Sequence, residues 1–262
     1  MRFKHKNKCT SQLIQFQMRN VIGNPYVHIF GVGLPVLLAM LITRIACMEL
    51  QGNTAIIMVS TSVYLGMGTL IPMAVLLMGY AVSYAQELSK GIPERMHLFG
   101  FKNSVLFCSC AIAQMLFLLI ALVIFFLTGI IISGIKIPTV SGLISYILCI
   151  FFFSMICLTL AHGIASICRN FGKTYCVCMI LYFAFMILGG MMGIQYEDLP
   201  KWAQHAAKLL PVTYINKDFY QIWVGKQYNF MPMIQSFLFF GAISVILLFI
   251  ALKRPSGVRK SI

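Results

Sequence analysis

The chain has 262 residues, 60% of them hydrophobic and 10% charged, and a mean hydropathy of +0.89. No water-soluble globule of that length carries so much apolar surface without aggregating, so a soluble enzyme or binding module is excluded and an integral membrane protein is predicted. The formal charge of +14 is read as topology and attraction to anionic lipid headgroups, with the bilayer as partner and no nucleic acid expected.

Residues 1–25 carry five basic groups and no acid, then Leu13, Ile14, Phe16, Val21 and Ile22 among polar residues. Enough of these share a face to predict an amphipathic helix lying at the inner leaflet, ended by Gly23-Asn24-Pro25. The basic N-terminus and the full span length of the first apolar run predict no cleavable signal peptide.

Six runs are long and apolar enough to cross a bilayer: about residues 26–48, 54–83, 104–133, 141–167, 174–193 and 233–252. Cytoplasmic loops retain Lys and Arg, and an N-terminus inside places 14 of the 20 basic residues there, for a net charge near +12 inside and +2 outside. Both termini are therefore predicted to be cytoplasmic. In the first span Arg44 lies near the outer end, where it can snorkel outward toward Glu49. Gly66, Gly68, Pro72 and Gly79 predict close helix contact and a kink in the second.

The segment 84–103 is the sizeable internal cytoplasmic loop, with Glu87, Lys90, Glu94, Arg95 and Lys102 broken by Gly91, Pro93 and Gly100. Exposed charges of both signs suit a grip for a cytoplasmic protein, or a solvated connector. His162, near the inner end of span four, has no acid inside any span to pair with and is expected to hydrogen-bond a neighbouring helix. The nine cysteines lie mainly in apolar surroundings that disfavour thiolates, and no metal site is expected. Gly172-Lys173-Thr174 imitates the tail of a phosphate-binding loop, but Ile167 stands where its first glycine belongs and no strand precedes it, so the chain is not expected to bind and hydrolyse ATP by itself in the P-loop manner. No metalloprotease motif, paired intramembrane carboxylates or Ser/His arrangement points to an enzyme.

After the fifth run come Gly189-Gly190-Met191-Met192-Gly193 and Glu197-Asp198-Leu199-Pro200. From Pro200 to Tyr214, Trp202, Ala203, Ala206, Leu209 and Leu210 recur at helical spacing, predicting one amphipathic helix at the outer surface, started by Pro200 and ended by Pro211. Trp202, Trp223 and the tyrosines of 194–232 read as an aromatic belt at the outer interface.

Together these features resemble the permease subunits of ABC type-2 transporters over essentially the whole chain. The most specific part is the glycine-rich end of span five with Leu199-Pro200-x-Trp202 and Leu210-Pro211-Val212-Thr213-Tyr214; the second is the loop with Glu87, Gly91, Glu94 and Arg95. The resemblance implies one all-α transmembrane domain over residues 1–262, with six membrane helices, an N-terminal interfacial helix and a re-entrant outer segment between spans five and six. It further implies two cytoplasmic P-loop ATPase subunits that hold ATP and Mg, a second permease subunit that is identical or a sister, and no cofactor on this chain. Glu87, Gly91, Glu94 and Arg95 would dock the ATPase, and Gly189, Gly190, Leu199, Pro200, Trp202, Pro211 and Tyr214 would form the outer gate. The expected activity is export of a hydrophobic or amphipathic cargo (drug, antimicrobial peptide or lipid-like molecule) across a plasma membrane, with a bacterial source expected. Spans almost free of charge favour such cargo over an ion. An ATPase-independent secondary transporter or channel, and a non-transporting immunity or sensor subunit, remain alternatives.

Overall fold

Inside hydrocarbon no water satisfies a backbone N–H or C=O, so each crossing segment must bond within itself, and every described apolar run is helical. The computed structural model describes residues 6–48, 50–191 and 196–253, and among these there is no strand. Six helices are long and apolar enough to cross a membrane: Ile29–Cys47, Asn53–Ser89, Ser104–Ser133, Val140–Cys168, Phe171–Leu188 and Met231–Ala251, spans one to six below. An even number of crossings brings both ends of the described chain to one side, the terminal face; the opposite side is the distal face.

Span two is the axis of the bundle. In its apolar centre 83% of the residues are buried, against 22% to 39% in the other five, whose remaining surface faces outward. Pro72 has no N–H to give the helical ladder, and the helix passes through a π-helical stretch, Met73–Tyr80, before resuming at Ala81. Gly66 lets another chain segment come close: a β-carbon there would collide with the side chain of Asn216. Apolar surface gains little by leaving lipid for protein, so close packing and interhelical hydrogen bonds hold such a bundle. Tyr146 donates to the Leu65 carbonyl at 2.9 Å, Ser133 donates to the Tyr64 hydroxyl at 2.9 Å, and the backbone N–H of Lys136 donates to Thr61 Oγ1 at 2.9 Å.

Several boundaries differ from the sequence expectation. Span two runs to Ser89, past the expected 83, because Ala81 and Ala85 continue its buried face against spans four and five. Span five starts at Phe171, where the Asn170 side chain accepts the N–H of Lys173 at 3.2 Å. Gly172-Lys173-Thr174 is thus an ordinary first helical turn capped by asparagine. The N-terminal helix, Lys6–Ile22, packs along span three with Leu13 and Val21 buried, while Phe16 and Ile22 stay half-exposed. Glu49, expected near Arg44, and residues 192–195 lie outside the described residues; Arg44 itself is exposed.

The single amphipathic helix expected from Pro200 to Tyr214 is two helices. Lys201–Lys208 follows Pro200, and Pro211 occupies the first turn of a second helix, Pro211–Trp223, rather than merely ending the first. The second helix is inside the bundle. Pro211, Val212, Ile215, Phe219 and Trp223 are buried, and it packs on spans two and four. The two tryptophans therefore part: Trp202 is 73% exposed, whereas Trp223 is 1% exposed and its indole N–H donates to the Lys136 carbonyl at 2.7 Å. Phe126, Tyr146 and Phe219 surround this corner, with ring centroids 5.1 to 5.7 Å apart.

Candidate functional site

Two regions gather the residues the sequence singled out, one at each face. At the terminal face span two stops at Ser89 and Gly91 turns the chain with φ +65, a left-handed conformation that glycine adopts without a β-carbon clash. A seven-residue helix follows, Ile92–Leu98, with Pro93 in its first turn. Arg95 folds back on this turn: Nη2 donates to the Lys90 carbonyl at 2.6 Å and Nε to the Gly91 carbonyl at 3.3 Å. Glu94 is exposed in the first turn, where a negative charge suits the helix dipole. Glu94 and Arg95 do not pair; among the described residues the one ion pair is Lys217 with Glu197. The helix ends in Leu98 and Phe99, 85% and 80% exposed, an apolar tip beside polar residues. Gly91, Glu94 and Arg95 thus share this short helix and its turn.

Glu87 stands apart from them. It is half-buried and faces a cavity of about 700 Å³ enclosed by the N-terminal helix, the end of span two, the short helix and spans three and four. The floor of this cavity is aromatic. Tyr80 Oη and His162 Nδ1 share a hydrogen bond of 2.7 Å, Tyr84 stacks on the His162 ring at 4.4 Å, and Phe107 meets it edge-on at 4.7 Å. The expectation of a helix-bridging His162 is met by Tyr80. Gln114 of span three also lines the cavity, buried, its Oε1 without a donor. It passed unnoticed in the sequence, where the signal was one amide in a long apolar run.

At the distal face span five ends at Leu188, and Gly189 and Gly190 line a cleft of about 240 Å³ with Tyr196, Glu197, Thr213, Asn216 and Lys217. Asn216, also missed, donates to the Gly189 carbonyl at 2.7 Å, tying the inner hairpin helix to the end of span five. Leu199 packs with Ala203 and Ala207 in a small cluster of its own, separate from the main core. Thr213 donates to the Ala207 carbonyl at 2.7 Å, Tyr214 donates to the Lys208 carbonyl at 3.1 Å, and Gln204 donates to the Leu199 carbonyl at 2.9 Å. Of the expected gate residues, Gly189 and Gly190 line the cleft, while Leu199, Pro211 and Tyr214 lie in the hairpin beside it. Pro200 and Trp202 face outward.

Over the cleft Lys217 Nζ reaches Glu197 Oε1 at 2.8 Å and lies 4.7 Å from the Tyr196 ring centre. The hydrogen bond from Lys217 holds the Glu197 carboxyl below the usual range, and the same bond raises the lysine. Among the described residues no three His, Cys, Asp or Glu converge on a metal position.

Comparison with known families matches residues 9–223 to the model for ABC-2 type transporters. Comparison with curated proteins returned no match. The matched stretch spans the N-terminal helix, five of the six crossings and the distal hairpin, ending at the buried Trp223.

Proposed function

The chain belongs to the ABC-2 type transporter family and is a membrane permease, and from that premise we propose that it is the passive half of an ATP-driven exporter of amphipathic cargo. The terminal face is cytoplasmic in this reading, which the excess of Lys and Arg in its segments supports. Two P-loop ATPase subunits hold ATP and Mg, and a second permease completes the path. The observation that carries the proposal is the exposed tip of Ile92–Leu98, joined through one glycine turn to the most buried helix of the bundle. Leu98 and Phe99 offer apolar anchors, Glu94 a charge, and Arg95 sets the turn that aims them.

When the ATPases close they move this tip, and span two moves with it. The π-helical stretch after Pro72 is where the span bends most readily, because its hydrogen-bond ladder is already irregular. Beyond it, Leu65 and Gly66 contact Tyr146 and Asn216, so displacement reaches the distal hairpin and the Gly189 cleft.

The test is co-purification with a candidate P-loop ATPase and measurement of coupled hydrolysis. Glu94→Ala with Arg95→Ala, and separately Leu98→Ser with Phe99→Ser, should weaken assembly or uncouple hydrolysis. Flux driven by a gradient with no ATPase present would refute the proposal, as would labelling of Leu98→Cys by a membrane-impermeant reagent added outside.

A further inference from the structure

Two acceptors at the terminal-face cavity, the Glu87 carboxylate and Gln114 Oε1, have no donor among the described residues. Glu87 makes no hydrogen bond or ion pair with any described residue. Gln114 is 6% exposed, and its Oε1 finds no donor in the protein. Gln114 Oε1 is a buried acceptor left unmet, and Glu87 is a half-buried carboxylate with no donor among the described residues, so the wall of this void suits a donor supplied by a ligand. Beside them the stacked rings of Tyr84 and His162, with Phe107 at their edge, offer π faces that attract a cation. Among the described residues the charged and titratable groups around the void are Glu87 and Glu94 against Arg169, with His97, His162, Tyr80, Tyr84 and Cys110. An anionic head would meet the Glu87 carboxylate with no donor to offer, and a neutral head would leave its charge uncompensated.

The outer wall is mixed, with Phe16, Val21, Met96 and Leu98 beside Gln17, Asn20 and His97. Phe16 is half-exposed and Leu98 largely exposed where the cavity meets the N-terminal helix and the short loop helix. A volume of about 700 Å³ falls within the roughly 300–1,000 Å³ of small-ligand sites.

We infer that this cavity binds an amphiphile whose head is a protonated primary amine, its N–H groups donating to Glu87 and Gln114 and its apolar tail leaving past Phe16. The inference deepens the export reading and rests on it for the ligand's role as cargo. An aminoethyl lipid headgroup and a free long-chain amine share this chemistry.

The test uses the full chain in nanodiscs of phosphatidylcholine, whose quaternary head has no N–H, and titrates dodecylamine calorimetrically. Saturable binding is expected, with dodecyltrimethylammonium, equal in charge and tail but without N–H, at least about tenfold weaker. Glu87→Gln should lower dodecylamine affinity about tenfold or more, and Gln114→Leu should lower it by a smaller factor. Equal affinity for the two amines, a comparison that needs no variant, would overturn the inference, as would unchanged binding by Glu87→Gln. Native mass spectrometry of protein extracted from phosphatidylethanolamine-rich membranes separates the two sources. One retained lipid per chain, lost in Glu87→Gln, assigns the headgroup; dodecylamine binding with no lipid retained assigns a free amine. Absent amine binding with ATPase assembly intact would sink this inference alone. Failed assembly with amine binding intact would sink the export reading alone.

Discussion

Trp223 and Trp202 sit in one outer segment, and replacing each tests where the structure puts them. Trp223→Ala would remove a ring that is 1% exposed, its packing on Phe126 and Tyr146, and its hydrogen bond to the Lys136 carbonyl. Truncation of a buried aromatic costs about 3–5 kcal/mol. Trp223→Phe keeps the stack and strands the carbonyl, a loss of about 1–2 kcal/mol. For a chain of this size about 1 kcal/mol moves the midpoint by roughly 2–4 °C, so the alanine variant should melt on the order of 10 °C lower and the phenylalanine variant a few degrees lower. Trp202→Ala, on an exposed ring, should stay within about 0.5 kcal/mol of the parent. Thermal unfolding of the three variants and the parent in one detergent, followed by near-UV circular dichroism, measures the order. Equal midpoints for Trp223→Ala and Trp202→Ala would refute the placement of Pro211–Trp223 inside the bundle and the route from span two to the distal cleft.

Gly91→Ala forces a left-handed residue, at about 1–2 kcal/mol, where the added carbon meets nothing closer than Glu94 at 3.8 Å; coupled ATP hydrolysis should fall while the melting midpoint shifts by only a few degrees. The Glu197–Lys217 bridge should steady the helix Lys201–Lys208 across neutral pH. Because the carboxyl is held below its ordinary 4.5, that support is lost as pH falls through the lowered value. Because the lysine is raised above 10.5, it is lost as pH rises through the raised one. Amide exchange of Lys201–Lys208 should quicken at both extremes and in high salt, since both side chains are at least half exposed, and exchange independent of salt would count against the bridge. Lys136→Glu should change stability by less than about 0.5 kcal/mol: the backbone of Lys136 bonds Thr61 and Trp223, but its side chain is exposed. A large loss measured by the same melting assay would contradict that division.

Six crossings, an amphipathic N-terminal helix and the polar loop after span two were legible in the residues, because hydrocarbon admits helices of a minimum length and little else. Gly91, Glu94 and Arg95 could be placed together because they are neighbours in the chain. Glu87 could not be separated from them by sequence: span two continues six residues beyond its apolar run, and that extra length swings Glu87 into the cavity. Gln114, Tyr84 and His162 come from three different spans, and no spacing within one helix reveals that they share a wall. The distal hairpin divides in the same way. Its prolines mark helix starts locally, but burial of Trp223 depends on a carbonyl at Lys136 and on rings from spans three and four. The residues by themselves determined how often the chain crosses and that its body belongs in a membrane, since both follow from transfer of apolar side chains and the self-satisfaction of a helix. Which polar groups face one another across the bundle was decided by tertiary packing, because helix rotation and depth are set by contacts between segments remote in the chain.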